Sequence, residues 1–207
     1  MPELGLFPLP LVLMPTERIP LHIFEPRYRE LIGECIETGD EFGFVLATGD
    51  GAVHEIGTRA KVAQVLETLD EEQLNIIVEG SERFRLLELT SGRSFTTGIV
   101  EPVEDEDEPA GEADTERALE LFHELAELAE SDVDPPDPGS VQLDFELAAR
   151  VEFGAESKQE LLATTSPRKR MARLVELLGL ALEATHLERT VRERAGQNGK
   201  VAPLELE

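Results

Sequence analysis

The chain has 207 residues, 41% of them hydrophobic, and a formal net charge of −25 from 44 acidic and 19 basic side chains. A field of that sign repels phosphate backbones and anionic membrane surfaces, so nucleic acid and membrane are not expected partners and neutral or basic ones are favoured. The single cysteine, Cys35, excludes an internal disulfide and a multi-cysteine zinc site.

The length suits one large domain or two small ones. With no tryptophan and one tyrosine, Leu, Val, Ile and Phe must fill the core. The acid-rich, lysine-poor composition fits an Arg-rich acidic protein of bacterial type and is compatible with a salt-adapted host. The opening "MPELGLFPLPLVLMP" is apolar, but it has no basic flank and four prolines interrupt it. It reads as neither a signal peptide nor a membrane span, and a soluble cytoplasmic protein is expected.

Prolines at 2, 8, 10, 15 and 20 make the first strand segment a stiff, interrupted edge that cannot donate at those positions. In "PLHIFEPRYRELIGECIE" (20–37), Pro26 starts a helix, with Glu25 and Glu30 near its positive end. Tyr28, Leu31, Ile32, Cys35 and Ile36 follow one helical stripe, and Gly39 ends it. The simplest task for this helix is to cover the strands around it.

"FGFVLA" (42–47) is a buried-strand pattern, and "TGDG" (48–51) is a turn before a second short strand. "RAKVAQVLETL" (59–69) reads as a longer strand, reversed by "DEEQ" (70–73) into "LNIIVEG" (74–80). "RFRLLEL" (83–89) alternates, with Phe84 and Leu86 on one side and Arg83, Arg85 and Leu87 on the other. "SFTTGIV" (94–100) is the last strand. Short strands at roughly even spacing predict a barrel or a coiled sheet.

"EPVEDEDEPAGEAD" (101–114) is acidic and broken by Pro and Gly, a linker that cannot bury much. Helical patterns follow. Residues 114–130 carry Asp114 as an expected N-cap, with Leu119, Phe122, Ala126 and Ala129 on a stripe widened by Leu121, Leu125 and Leu128. Shorter helices are expected over 140–153 and 157–163. A long one over 165–194 is capped by Ser166 with Pro167 at its first position, and Met171, Leu174, Val175, Leu178 and Leu182 form its stripe. The segment from Gly196 onward is expected to be disordered.

The segments "LFPLPLVLMPTERIPLHIFEPRYREL" (6–31), "FGFVL" (42–46), "GTRAKVAQV" (57–65) and "IIVEGSERFRLLEL" (76–89) come in the order found in the Lon protease N-terminal domain family. The chain resembles that family in the short stand-alone form found in bacteria. "SKQELLATTSPRKRMARLVELL" (157–178) extends the resemblance, while "MPTE" (14–17) departs where many members have Pro-Gly. The resemblance implies an α+β protein, a PUA-like β-pseudobarrel with one short helix followed by a helical bundle ending in a long helix; with the composition, this divides the chain into a strand lobe over 1–101, an acidic linker over 102–113, a helical lobe over 114–195 and a tail over 196–207. It implies a substrate-recognition module with no cofactor, and neither the ATPase nor the Ser-Lys peptidase of a full Lon.

The residues offer little catalytic chemistry. "GQNGKV" (196–201) lacks the spacing of a phosphate loop, and Val follows the Lys where Ser or Thr would hold magnesium. His22, His54, His123 and His186 show no ligand spacing; His123 and Glu127 read as an exposed helical pair. His22 near Glu25 reads as a structural hydrogen-bonding group, and Cys35, flanked by Glu34 and Glu37, as core. What remains is surface recognition. Leu9, Leu11, Met14, Phe24, Tyr28, Arg27, Arg83 and Arg85 are the candidate partner-binding residues. The apolar ones either line a groove between the lobes or belong to the core; the arginines either anchor acidic groups of a partner or pair with this chain's own carboxylates. Expected partners are unfolded or apolar-rich polypeptides or a specific protein, with the last helix a surface for a homodimer. The function expected is a non-catalytic adaptor in proteolysis or protein quality control. An RNA-binding protein and a small-molecule enzyme using the cleft are the alternatives.

Overall fold

The structure, a computed structural model, describes residues 2–49, 51–66, 73–131 and 133–198, with side chains to Arg192. Six strands and one helix make the first half: β1 (Glu3–Leu9), β2 (Arg18–Ile23), α1 (Pro26–Thr38), β3 (Phe42–Leu46), β4 (Ile56–Val65), β5 (Leu74–Thr90) and β6 (Thr97–Pro102). Four helices make the second: α2 (Glu112–Leu128), α3 (Leu143–Arg150), α4 (Ala155–Ala163) and α5 (Pro167–Asn198).

The strand order is β2-β5-β4-β3-β1-β6, and β6 returns to pair with β5. Five strands therefore form a ring, with β2 attached along β5, a pseudobarrel rather than a clean barrel. Only β1 and β3 run parallel; the other pairs are antiparallel. The segments 74–80 and 83–89, read separately from sequence, are one 17-residue strand. Irregular pairing at Thr58/Ala60, Val62/Gln64 and Leu86/Glu88 accompanies it. Bulges bend a strand and increase its twist, which lets one long strand serve two sides of a ring. The strand expected after "TGDG" reduces to a bridge between Ala47 and Val53, and the expected turn at 70–73 falls mostly outside the described residues.

β1 is not an edge. It lies between β3 and β6, and its Pro8 sits in register with Val45 of the parallel neighbour. β2, which contains Pro20, is the strand with a single partner. Between them, residues 10–17 strap across β5. Thr16 N–H donates to Gly80 O at 2.9 Å, and Gly80 N–H donates to Glu17 O at 2.9 Å. Gly80 is required for this, since a Cβ there would stand 2.2 Å from Met14 O.

α1 begins and ends where expected, with Pro26 in its first turn and Gly39 at its C-cap, φ 78°, donating to Cys35 O. Tyr28, Leu31, Ile32 and Cys35 are buried and share one cluster with Phe7, Phe42, Phe44, Ile76 and Val78. Ile36, expected on the same stripe, is 41% exposed, because the helix rests on a narrower face than its sequence stripe.

The helices pack around Leu121, Phe122, Leu147, Leu161, Leu174 and Leu178. Val12, Met14, Leu46 and Ile56 from the strand half belong to the same cluster, so the halves share a core. Gln159 Nε2 donates to Ile56 O at 3.0 Å, and Lys158 pairs with Glu17 at 3.4 Å. α2 starts two residues ahead of Asp114, with Gly111 as its N-cap and Asp114 in its first turn. Ser166 caps α5, accepting from Lys169 N–H at 3.3 Å. α5 runs to Asn198, so the expected boundary at Gly196 falls inside a helix; residues 199–207 lie outside the described ones.

Candidate functional site

The acidic segment after β6 was read as unable to bury much, and most of it is exposed, yet its Asp105 is tied to two buried arginines. Arg83 and Arg170 converge on Asp105, and Arg170 Nε also reaches Asp144 at 2.6 Å. Arg83 Nη1 donates to Leu162 O at 2.8 Å and to Thr164 O at 3.0 Å. Both guanidiniums lie over the Phe145 ring, at 5.2 and 4.0 Å from its centre. Burial alone would push the Asp105 carboxyl up, but the two arginines, Arg170 foremost, hold it below the usual carboxylate range. The backbone is fastened too: Val103 N–H donates to Arg83 O, and Glu106 N–H to Thr165 O at 2.9 Å. This cluster is a clamp between the strands, the acidic segment and α5.

Arg83 is 5% exposed and engaged inside the protein rather than displayed at the surface. Its position in an alternating strand suggested an outward side chain; the helices cover that side. Met14 is likewise wholly buried, in the core the halves share. Arg85 stays half-exposed between Glu55 and Glu101, 3.7 Å from each. All three belong to internal packing or pairing, and they do not join the other candidates.

The other five come from the end of β1, the segment after it and the start of α1. Tyr28 is buried with its ring 4.4 Å from Phe7. The Arg27 guanidinium covers the Tyr28 ring at 4.5 Å and pairs with Glu25 at 2.8 Å. Leu9 is half-buried against the cluster that contains Phe7 and Tyr28. Leu11 and Phe24 are exposed, by 37% and 62%. Phe24 is an aromatic side chain spent on solvent in a protein with few aromatics. Its nearest ring neighbour is His22, 6.1 Å away, whose Nδ1 is within 2.7 Å of Asn75 Oδ1 rather than engaged with Glu25.

No cluster of three or more His, Cys, Asp or Glu able to hold a metal ion occurs among the described residues. Burial, aided by Asp40 and Glu34, pushes the Cys35 thiol up to about 11, so it stays protonated. His123 and Glu127 form an exposed pair at 3.2 Å. "GQNGKV" lies partly outside the described residues. No helix among the described residues is long and apolar enough to cross a membrane.

The fold class is α+β, a mixed strand ring covered by one helix and fused to a helical bundle. A family model described as the ATP-dependent protease La (LON) substrate-binding domain matches residues 3–179, and the chain belongs to that family. Lon protease of Anaeromyxobacter dehalogenans (strain 2CP-C) is 27% identical over 201 residues, covering 87% of this chain and 23% of that protein. Lon protease 2 of Myxococcus xanthus is 27% identical over 201 residues, covering 87% of this chain and 24% of that protein. The chain thus spans about a quarter of the length of these relatives. Among solved structures, the Lon N-terminal domain protein from Xanthomonas campestris superposes with a TM-score of 0.66 at 25% identity, covering 85% of this chain and 98% of that one. The N-terminal domain of Mycobacterium avium complex Lon protease gives 0.65 at 16% identity, covering 86% and 98%, and shares the fold.

Proposed function

We infer that this protein is a non-catalytic recognition module that binds unfolded or apolar-rich polypeptides and serves proteolysis or protein quality control as an adaptor, in the cytoplasm. Membership of a substrate-binding domain family supports the general reading. The observation that carries the location is Phe24, 62% exposed at the entry to α1, with Leu11 exposed and Leu9 half-buried on the preceding segment. Aromatic and aliphatic anchors at a surface are where apolar chain segments gain most from leaving water.

Arg27 and Tyr28 frame this face, since the guanidinium on the ring fixes the first turn of α1. The cleft between the halves is a poorer place for the partner, because its Arg83 and Asp105 are already engaged with each other. The test is fluorescence anisotropy with a labelled, unfolded, apolar-rich polypeptide. Burying an aromatic side chain is worth about 1.5–3 kcal/mol, so Phe24→Ser should weaken binding about ten-fold or more. Affinity should vary little with salt, because the contact is apolar. Absence of binding at micromolar protein, or equal binding by Phe24→Ser, overturns the reading.

A further inference from the structure

A cavity of about 570 Å³ opens beside the C-terminal half of α1, away from Phe24 in sequence. Its apolar base includes Leu4, Leu31 and Phe95. Gly5 lets α1 lie close upon β1 there, since a Cβ would stand 2.3 Å from Leu31 Cδ1.

Arg59 lines this cavity with an unfinished set of bonds. Its side chain is only 17% exposed, yet its one ion pair among the described residues is a long contact of 3.9 Å to Glu41. Glu41 is held instead by Ser81, whose Oγ donates to Oε1 at 2.5 Å. Arg59 donates no side-chain hydrogen bond among the described residues. A guanidinium offers five donors in a fixed fork suited to a bidentate oxyanion, and those of Arg59 have no protein acceptor within hydrogen-bond distance among the described residues and stay open to solvent. Arg93, the other arginine of the lining, is occupied: it pairs with Glu34 and lies 4.5 Å over the Phe95 ring.

The lining also carries carboxylates. Glu3 accepts from Thr90 Oγ1 at 2.6 Å, and the Thr90 and Thr97 hydroxyls hold its carboxyl below the usual range. Asp40 has no ion-pair partner among the described residues. With four carboxylates and two guanidiniums around the cavity, a lone anion would meet net repulsion, and a lone cation would leave Arg59 unserved.

We propose that this cavity binds a small zwitterion, its carboxylate received by Arg59 and its ammonium or guanidinium by Glu3 and Asp40. The volume lies in the range of small-molecule sites and exceeds the needs of one small amino acid, so a dipeptide-sized ligand fits it. Two sources carry this chemistry: a free amino acid or dipeptide, and the last residues of a polypeptide with a basic side chain near its C-terminus. The Cys35 thiol in the lining stays protonated and offers the ligand no thiolate.

The test is calorimetric titration with lysylglycine, its C-terminal amide, free lysine and an N-acylated peptide ending in Lys-Gly. Charge-assisted bidentate contacts of this kind predict a millimolar or tighter Kd for lysylglycine and about ten-fold weaker binding for the amide. Arg59→Gln should weaken lysylglycine about ten-fold, and Glu3→Gln/Asp40→Asn should weaken it several-fold. The double variant, on the surface side of the lining, carries the test if Arg59→Gln fails to fold. Binding of free lysine equal to that of the dipeptide identifies a small metabolite; binding strongest for the acylated peptide identifies a chain terminus. No heat at about 10 mM lysylglycine, equal binding of acid and amide, or undiminished binding by folded variants overturns the proposal. Arg59→Gln should still bind the unfolded polypeptide and Phe24→Ser should still bind lysylglycine, so the two readings fail separately.

Discussion

Replacing Arg170 by Met tests whether the arginine–aspartate clamp holds the two halves together. Arg170 is 2% exposed. It contributes a fork to Asp105 at 2.9 and 2.6 Å, a bond to Asp144 at 2.6 Å and one to Thr164 O at 2.6 Å. Met fills much of the volume but leaves Asp144, whose side chain is 6% exposed, as a buried carboxylate without its cation. Breaking a buried pair from one side costs about 3–5 kcal/mol, and the partial exposure of Asp105 argues for the lower end, about 3 kcal/mol. For a chain of this size that corresponds to a melting temperature lower by roughly 6–12 °C. The deficit must also depend on pH. Asp105 has a depressed folded pKa, so its stabilisation is present above the unfolded carboxylate pKa and is lost as pH falls through the folded one. Urea unfolding should therefore show the full deficit at neutral pH and a smaller one in acid, as pH falls through the folded Asp105 pKa. Adding Asp144→Leu should return part of the loss, because that carboxylate is no longer buried without its cation. A deficit below about 1 kcal/mol at neutral pH, or one unchanged by acid, refutes the reasoning.

Met14→Ala, in the core shared by both halves, should cost about 2–5 kcal/mol by denaturant melting, whereas Phe24→Ser should stay within about 0.5 kcal/mol of the parent. Gly80→Ala should destabilise the fold by more than a typical surface substitution, read as a lower melting temperature, because the new Cβ would collide with the Met14 carbonyl at 2.2 Å. Cys35 should resist alkylation by iodoacetamide near pH 8 and react much faster in denaturant, since burial pushes its thiol up to about 11.

The local order of the chain was written in its sequence. Pro26 and Gly39 bracket α1, and Ser166-Pro167 opens α5, because caps and φ restrictions act within a few residues. The ordered segments from Leu6 to Leu89 were enough to indicate the Lon N-terminal family. The fate of individual side chains was another matter. Alternation along β5 puts Arg83 and Arg85 on one side, yet helices cover Arg83 and leave Arg85 half-exposed. Nothing local distinguishes Leu11, which faces solvent, from Met14, which lies in the shared core. Asp105 reads as one more charge in a solvated run until Arg83, 22 residues before it, and Arg170, 65 after it, are folded onto it. The cavity beside α1 was equally hidden, since Glu3, Asp40, Arg59 and Arg93 come from four separate stretches of chain. Backbone preferences and hydrophobic periods depend on neighbours in sequence, so the sequence alone determined the elements and their family. Burial, ion pairing and cavities depend on neighbours in space, and those only the tertiary structure decided.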